Sequence, residues 1–351
     1  MWSVKPGCVF ARSPFRELAG RHAACVLDSP PGMGGPMAHR VSVATLKRIL
    51  ARQEPRRFLR DYQPSIRATR DEAPSKSSVF QIVSPRLGRE IHLLSTGEKA
   101  LALLALYHPK LADLHEQWML PRWPAAHPLE GFPGCSQDRL PTFRGSTEVA
   151  DRLGYLDVIP VLRSGGEPIV FPFIGDLLLY LRDESGYYCV NWNIKEREGD
   201  HALPGPECRP PYSAEALRKS RARFEIEVHT VLDAGIRTAA LAHESINATV
   251  ADNLSDLHSA QDFGAGLSAS ATAYAEQCFQ RAIDVGDTPA EVVAYLVHRG
   301  LCSREEAIRA FKTAVFQRRI RVDLFRRILM DYPARPEQVD VLDHYARWFA
   351  R

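Results

Sequence analysis

The chain has 351 residues, of which 45% are hydrophobic, and its 45 Lys plus Arg against 42 Asp plus Glu give a net charge of +3. This length suits about two domains with a sizeable core, and so small a net charge excludes a polycation that binds nucleic acid over its whole surface. The seven cysteines are scattered without a C-x-x-C pair, and no secretory leader or apolar run of membrane-span length is visible, so we expect a cytoplasmic protein with reduced thiols and no membrane contact.

The N-terminal part of the chain divides into an extension and a basic arm. Residues 1–36 are rich in proline and glycine without periodicity, which predicts a disordered extension. Met37 follows directly, and we expect it to be an alternative start of translation. Residues 37–78 are predicted to form a basic helical arm. Nine Lys and Arg against two acids between residues 40 and 70 suit phosphate contacts, with a solvated helix face as the alternative.

An α/β domain is predicted over residues 79–200. It opens with two short strands at 79–83 and 90–94, followed by a helix that begins at Ser95. The S-T-G-E sequence at this point fits the capping box, in which Glu98 folds back on the start of the helix. The alternative is that Glu98 is the acid on the first helix of a nuclease core and faces a metal, and the local sequence favours capping.

A β-hairpin is the most informative part of this domain. After a predicted strand at 111–120 and a short helix at 146–155, residues 169–195 show two arms rich in β-branched, aromatic and aliphatic residues around a polar turn at 183–186. Asp176 lies on the first arm among apolar neighbours, where an unpaired carboxylate would be costly. A compensating group is therefore expected beside it.

The second arm of the hairpin ends in Asn193-Ile194-Lys195, whose alternation puts the amide and the ammonium on one face. A carboxylate on the neighbouring strand together with these groups can hold a divalent cation and orient a water, because Mg²⁺ takes carboxylate, amide and main-chain carbonyl oxygens. The alternative is a surface hairpin with Asp176 at an edge and Lys195 in solvent. The hairpin by itself does not decide between the two.

The rest of the chain is predicted to be a linker and a second domain. Residues 201–212 contain four prolines and predict a linker, and residues 213–351 predict a mostly helical DNA-binding or partner-binding domain. A helix-turn-helix pattern over 288–316, followed by five arginines between 318 and 327, fits contact with DNA or a partner. A purely structural helix pair is the alternative.

The order of these motifs is similar to that of TnsA, the endonuclease subunit of heteromeric bacterial transposases. The resemblance covers roughly residues 91–257. It implies an α/β restriction-endonuclease-like PD-(D/E)xK nuclease core followed by a mostly α-helical, winged-helix-like C-terminal domain. The matching pieces are S-x-G-E ending at Glu98, H-E-Q-W from His115 to Trp118, STEVADRLGY, Gly-Asp ending at Asp176, N-I-K ending at Lys195, and ESINATVADNL at 244–254.

By position, the resemblance implies that Glu98 and Asp176 are metal ligands and that Lys195 is the catalytic lysine. The main-chain carbonyl of Ile194 is expected to complete the site, with Asn193 at the third polar position. The family usually has Glu or Gln there, and asparagine is shorter by one methylene, so its reach and charge as a ligand are reduced. The expected metal is Mg²⁺, with Mn²⁺ as a substitute.

The implied function is a Mg²⁺-dependent DNA endonuclease of a bacterial transposase, which cleaves the 5′ ends (the non-transferred strands) of a transposon during cut-and-paste transposition. The expected partners are transposon-end DNA, a TnsB-like transposase subunit and a TnsC-like AAA+ ATPase, which the C-terminal domain engages. Two alternatives stay open. One is a catalytically inactive DNA-binding or scaffold subunit of the transposition complex, and the other is a stand-alone restriction or repair nuclease of the same fold.

Overall fold

The structure is a computed structural model, and it describes residues 41–74, 77–136, 139–164, 167–204, 211–261 and 267–351. The predicted extension over 1–36 and the alternative start at Met37 lie outside these ranges. The described residues form a mixed α/β protein with a mixed central sheet. The α/β class predicted from the sequence is therefore confirmed at this coarse level.

The central sheet has four strands in the order β3 (Leu111–Met119), β6 (Ile174–Asp183), β7 (Gly186–Lys195) and β8 (Arg237–Ala242). β6 is antiparallel to both β3 and β7, whereas β8 is parallel to β7. Parallel neighbours need a crossover connection, and helix α4 (Ala214–Asp233) supplies it between β7 and β8. The strand that completes the sheet thus comes after the predicted linker.

The predicted hairpin is present, but its first arm is shorter than expected. β6 begins at Ile174, and Asp183 pairs with Gly186 around a two-residue turn. Residues 169–170 belong instead to β5 (Glu167–Val170), which forms a separate two-stranded sheet with β4 (Val161–Ser164). Pro172 has no amide hydrogen to donate to a strand ladder, so the run of apolar residues cannot continue as one strand. The prediction of one arm from residue 169 was wrong.

Helix α2 (Thr96–Tyr107) packs on one face of the sheet and carries Glu98 in its first turn. The hydroxyl of Ser95 accepts a hydrogen bond from the amide of Glu98 at 3.0 Å and so caps the helix as predicted. The reciprocal bond of the predicted capping box is not formed, because the Glu98 carboxylate accepts from the amide of Leu94 and not from that of Ser95. The last two turns are buried all round, because helices of the C-terminal part cover the side that faces away from the sheet. Tyr107, for example, meets Phe316 edge to face, with 5.8 Å between ring centroids.

Short elements before and after α2 complete this part of the fold. A hairpin of β1 (Phe80–Ser84) and β2 (Arg89–Leu93) precedes it, close to the two predicted strands. Helix α3 (Ser146–Leu153) follows Gly145, which has φ +97°. A Cβ on this glycine would lie 2.6 Å from the main chain of Trp123, so both the backbone conformation and the space require glycine.

The helix of the predicted basic arm, α1, spans only Val43–Gln53. Beyond it the described chain up to residue 74 is irregular apart from a 3₁₀ turn at Leu59–Asp61. Arg52, at the end of α1, forms a two-pronged ion pair with Glu72, with nitrogen–oxygen distances of 2.7 and 2.8 Å. The arm is therefore folded back on itself rather than extended as one solvated helix.

Four helices follow the sheet: α5 (Ala248–Ser259), α6 (Ala269–Val285), α7 (Pro289–His298) and α8 (Arg304–Phe316). Short helices α9 (Val341–His344) and α10 (Ala346–Phe349) close the described chain. None of the helices in the described ranges is long and apolar enough to span a bilayer.

One buried hydrophobic cluster joins α2, the sheet and the C-terminal helices. The indole of Trp192, on β7, donates to the main-chain carbonyl of Trp348 at 2.8 Å, which ties the end of the chain to the sheet. The segments predicted as separate domains over 79–200 and 213–351 thus share a sheet and a core. Their division into an endonuclease domain and a C-terminal domain stays a prediction.

Candidate functional site

The two central strands separate at Asp176. The pairing of β6 with β7 ends at Leu177–Trp192, although β6 stays paired with β3, and β7 with β8, beyond that point. The amide of Ile194 donates to the carboxylate of Asp176, with N···Oδ2 at 2.6 Å. A side chain therefore bridges the gap between the strands, and the carboxylate is fixed at the open end of the hairpin.

Lys195 lies beside this carboxylate. Its Nζ is 3.9 Å from Oδ2 of Asp176, at the limit of an ion pair. The side chains of Asp176 and Lys195 are 20% and 35% exposed, so solvent or a substrate reaches both. Two of the predicted site residues are thus in contact at a position open to a ligand.

Glu98 reaches the same place from helix α2. Its Oε2 accepts hydrogen bonds from the amide of Leu94 at 2.8 Å and from the side chain of Gln117 at 3.0 Å, and its Oε1 is 3.3 Å from the hydroxyl of Ser95. Burial, together with the negative charge of Asp176, raises the pKa of Glu98 to about 8. Glu98 therefore both supports the start of the helix and faces Asp176, so the two interpretations of this residue are compatible.

Gln117 belongs to the site although the sequence did not single it out. It lies on β3 between residues paired with Leu177 and Gly175, and so opposite Asp176. Its φ of +48° is uncommon for a residue other than glycine. Its amide nitrogen donates to Glu98, which links the helix carboxylate to the strand that carries the aspartate. The pattern H-E-Q-W was the available signal, but it gave no direction for the side chain.

Glu227 on α4 is a third carboxylate that the sequence analysis missed. It is buried, and its two oxygens accept from the side-chain amides of Asn191 at 2.9 Å and Asn193 at 3.0 Å. Burial and the charge of Asp176 raise its pKa. Ala222, Ile226, Thr230 and Val231 form the buried stripe of this helix, and Glu227 lies on it. An acid on an apolar stripe was the signal that was overlooked.

Asn193 uses both ends of its amide. Its nitrogen donates to Glu227, and its oxygen is 2.7 Å from Nδ1 of His201. An amide oxygen only accepts, so Nδ1 carries the hydrogen and Nε2 has the lone pair. Burial and the charge of Lys195 lower the pKa of His201, which favours this neutral ring. The proposed part of Asn193 and of the Ile194 carbonyl as metal ligands stays a prediction.

The charges at this site are unbalanced in a way that fits a divalent cation. Glu98 and Glu227 both have raised pKa values that include repulsion from Asp176, and Lys195 is the cation in contact with Asp176. Carboxylate and amide oxygens are the donors that Mg²⁺ prefers. In the described ranges no three His, Cys, Asp or Glu side chains are grouped closely enough to hold a metal. Glu98 and Asp176 would therefore need main-chain, water or substrate oxygens to complete the ligand set.

The arginines that were considered for DNA contact in the C-terminal part are in ion pairs. Arg318 and Arg321 pair with Asp340, and Arg319 pairs with Glu276. Arg326 and Arg327 lie near acids as well. The predicted helix-turn-helix is present as α7 and α8. Its contact with DNA or a partner stays a prediction, and the paired arginines supply little free charge for it.

Comparison of the chain with protein-family models and with curated proteins finds no match. The resemblance to TnsA therefore rests on the order of the motifs and stays a prediction. What the geometry adds is independent of that name. Asp176 and Lys195 are in contact at the open end of the hairpin, and Glu98 is bonded to Gln117, which lies opposite Asp176.

Proposed function

We propose that the protein is a Mg²⁺-dependent DNA endonuclease with a PD-(D/E)xK-type core, in which Glu98 and Asp176 hold the metal and Lys195 is the catalytic lysine. The observation that carries the proposal is the contact of Asp176 with Lys195 where β6 and β7 separate, next to the start of the helix that carries Glu98, where a Cβ on Gly97 would lie 3.5 Å from the side chain of Ile194. Side chains from a helix and two strands, far apart in the sequence, converge there. A raised pKa at such a point is typical of functional sites.

Phosphodiester hydrolysis needs a positioned water and stabilisation of negative charge on the phosphate. When bound, Mg²⁺ polarises the phosphate and lowers the pKa of a coordinated water. The chain itself supplies the partly exposed ammonium of Lys195, which orients the water or adds positive charge beside the phosphate. The contact of Asp176 with the Ile194 amide keeps its carboxylate fixed during this step. Glu98 must lose its proton when the metal binds.

The order of motifs supports a more specific proposal, in which the nuclease is the TnsA-like subunit of a bacterial transposase and cleaves the 5′ ends of the element. Its partners are then transposon-end DNA, a TnsB-like transposase and a TnsC-like AAA+ ATPase, with the C-terminal helices as a winged-helix-like contact region. A nuclease that cuts plasmid DNA without a partner protein would instead be a stand-alone restriction or repair enzyme.

A catalytically inactive DNA-binding subunit is the second candidate, and one observation favours it. The amide of Asn193 is engaged at both ends, by Glu227 and by His201. In this arrangement the residue at the third polar position is not free to act as a ligand. The inactive subunit would keep the fold and the DNA contacts without a functional metal site.

The test is cleavage of supercoiled plasmid and of candidate transposon-end DNA, with and without co-purified transposase and ATPase subunits, in Mg²⁺. Asp176→Ala and Lys195→Ala are expected to lower the rate at least about 100-fold, the loss typical of one electrostatic group in an active site. Asp183→Ala is the matched control, because it removes an acid at the opposite end of β6, where Asp183 pairs with Arg351. Retained nicking by both site variants would reject the assignment.

Titration of Mn²⁺ by calorimetry separates the active from the inactive subunit. The nuclease is expected to bind Mn²⁺ at a site that Asp176→Ala removes and Asp183→Ala keeps. Absence of binding in the unsubstituted protein, with normal DNA binding, would favour the scaffold function.

A further inference from the structure

A cavity lies next to the candidate site, and we call it the arm cavity. It is bounded by the end of α1 and the turn after it at residues 52–57, by the loop after β3 at residues 121–128, and by Leu178 and Tyr180 of β6. Its volume is about 280 Å³, close to the lower end of the roughly 300–1,000 Å³ found for ligand pockets. A single small planar group fits such a volume.

The inner wall of the arm cavity is made of fixed rings. The rings of Tyr62 and His115 are stacked, with centroids 3.8 Å apart and planes 13° apart. His115 is held in place because Nε2 is 3.1 Å from the carboxylate of Asp113 and Nδ1 is 3.1 Å from the hydroxyl of Tyr180. Trp123, which is 41% exposed, lines the cavity from the loop after β3. Tyr62 and His115 are nearly fully buried and stack on each other, so they form a rigid wall, and the exposed ring on which a base can stack is that of Trp123.

The cavity is also lined by four arginines and by one acid, Glu54. Two of the arginines contact acids, since Arg52 pairs with Glu72, and Arg122 is 4.0 Å from Glu54. The other two are Arg56 and Arg57. Their hydrogen bonds within the described ranges go to main-chain carbonyls, those of His127, Ala126, Ala51 and Arg52. A carbonyl does not neutralise a guanidinium, so these two charges remain available to an anion.

The arm cavity lies on the same face of β6 as Asp176. Asp176, Leu178 and Tyr180 alternate along this strand, and two residues of strand span about 7 Å.

Trp118 connects the cavity with the site directly. Its indole lines the cavity and donates to the Asn191 side chain at 3.2 Å, and Asn191 in turn donates to Glu227. It packs so closely on Gly175 that a Cβ there would lie 2.4 Å from the indole nitrogen. The wall of the cavity is therefore held against the residue that precedes Asp176.

We propose that the arm cavity holds one nucleotide of the DNA strand next to the cleaved phosphodiester, with its base against Trp123 and its phosphate against Arg56 and Arg57. The inference rests on the proposed nuclease function and deepens it, because it assigns the residues that position the substrate strand. A planar, anionic ligand satisfies both the rings and the uncompensated arginines.

The test is the affinity for a fluorescent single-stranded oligonucleotide, measured by anisotropy in EDTA, so that neither metal nor cleavage contributes. Trp123→Ala is expected to weaken binding at least about fivefold, the lower end for loss of one base stack, and Trp123→Phe is expected to restore it. Arg57→Gln is expected to lower the slope of log affinity against log salt by about 0.7, the value for one phosphate contact on a single strand. Tyr332→Ala and Arg218→Gln, which change an exposed aromatic and an exposed arginine outside the cavity, serve as matched controls.

Unchanged binding by Trp123→Ala and Arg57→Gln would overturn the inference. A free nucleoside monophosphate that binds as tightly as the oligonucleotide and is not displaced by it would also overturn it, because the occupant would then be a small molecule. These measurements distinguish failure of the proposed nuclease function from failure of the inference about the arm cavity. If the protein never cleaves DNA but Trp123→Ala still weakens oligonucleotide binding, the cavity is supported and the nuclease is rejected. If cleavage occurs and Trp123→Ala binds normally, only the cavity is rejected.

Discussion

Two groups of ionisable side chains lie on or beside neighbouring strands of the fold, and they differ in how their charges are balanced. In the first, which we call the paired cluster, Arg89 contacts Glu116 at 2.9 Å and His115 contacts Asp113 at 3.1 Å. Burial alone would raise the pKa of Asp113, but His115 and Arg89 hold it below its usual value. Each acid in this cluster thus has its own positively charged or hydrogen-bonding partner.

At the candidate site the carboxyl groups of Glu98 and Glu227 are not matched by positively charged partners in this way among the described residues. Burial first, and the charge of Asp176 second, raise the pKa values of Glu98 and Glu227, and Lys195 approaches Asp176 only to 3.9 Å. Pairing of opposite charges stabilises a buried cluster relative to one with an unpaired charge, because an uncompensated buried charge lowers the free energy of unfolding. Glu98 is instead kept protonated near neutral pH, because its pKa is raised to about 8, and in the described part of the chain it does not pair with a cation of its own as the acids of the paired cluster do. The contrast supports a structural role for the paired cluster, and it fits the proposal that a cation binds at the candidate site.

The largest effect that this contrast predicts is on stability. Arg89→Met leaves the carboxylate of Glu116 buried without its partner, and the free energy of unfolding is expected to fall by about 3–5 kcal/mol. Urea denaturation measures it. The double variant Arg89→Met with Glu116→Gln should recover most of the loss, because the orphaned charge is removed while the hydrogen bond from the His92 amide is kept. A cost below about 1 kcal/mol for the single variant would contradict a structural role.

At the candidate site the corresponding prediction concerns pH. The pKa of Glu98 is about 8 in the folded protein against 4.5 as its model-peptide value. A raised folded pKa gives stability that is complete below the unfolded value and is lost as pH rises through the folded one. Between these two values the free energy of unfolding should therefore fall by about 1.4 kcal/mol per pH unit because of this group.

Glu98→Gln should remove this dependence, and urea denaturation in EDTA at several pH values in that window measures the difference in slope. Glu184→Gln is a suitable control, because Glu184 is an exposed acid in the turn of the hairpin. Identical slopes for Glu98→Gln and the unsubstituted protein would show that Glu98 does not hold a proton in the fold, and the contrast with the paired cluster would then fail.

The elements whose signals are local were predictable from the sequence. Ser95 marked the start of α2, and the polar turn at 183–186 marked the hairpin, because caps and turns depend on a few neighbouring residues. Asp176 was singled out because an unpaired carboxylate in an apolar strand is costly, and Lys195 because it alternates with Asn193 on one face of the second arm. These inferences needed no knowledge of which strands are neighbours in the sheet.

The site residues that the sequence analysis missed depend on long-range pairing. Gln117 joins the site only because β3 pairs with β6 in a register that puts it opposite Asp176. Glu227 joins it only because α4 carries the chain from β7 to its parallel neighbour β8. Register and crossover connections are set by the whole fold and leave no local mark in the sequence. The stack of Tyr62 on His115 in the arm cavity likewise joins residues far apart in the sequence and could not be predicted from local patterns.

The smallest predicted effect is a change in Mn²⁺ affinity when Lys195 is replaced. It shows whether Lys195 is needed for metal binding or is only a charge near the metal. If Lys195 acts on the water or the phosphate and not through the metal, Lys195→Met should abolish cleavage and yet leave Mn²⁺ bound. A divalent cation and an ammonium about 4 Å apart in water repel by roughly 2 kcal/mol, so removal of the ammonium should tighten Mn²⁺ binding by up to about 30-fold. Calorimetric titration measures it, and Lys110→Met, which removes the lysine paired with Glu184 near the far end of the hairpin, is the control. Loss of Mn²⁺ binding in Lys195→Met would instead mean that the lysine holds the carboxylates in position, and the excess of negative charge at the site would then be structural rather than a preparation for a metal.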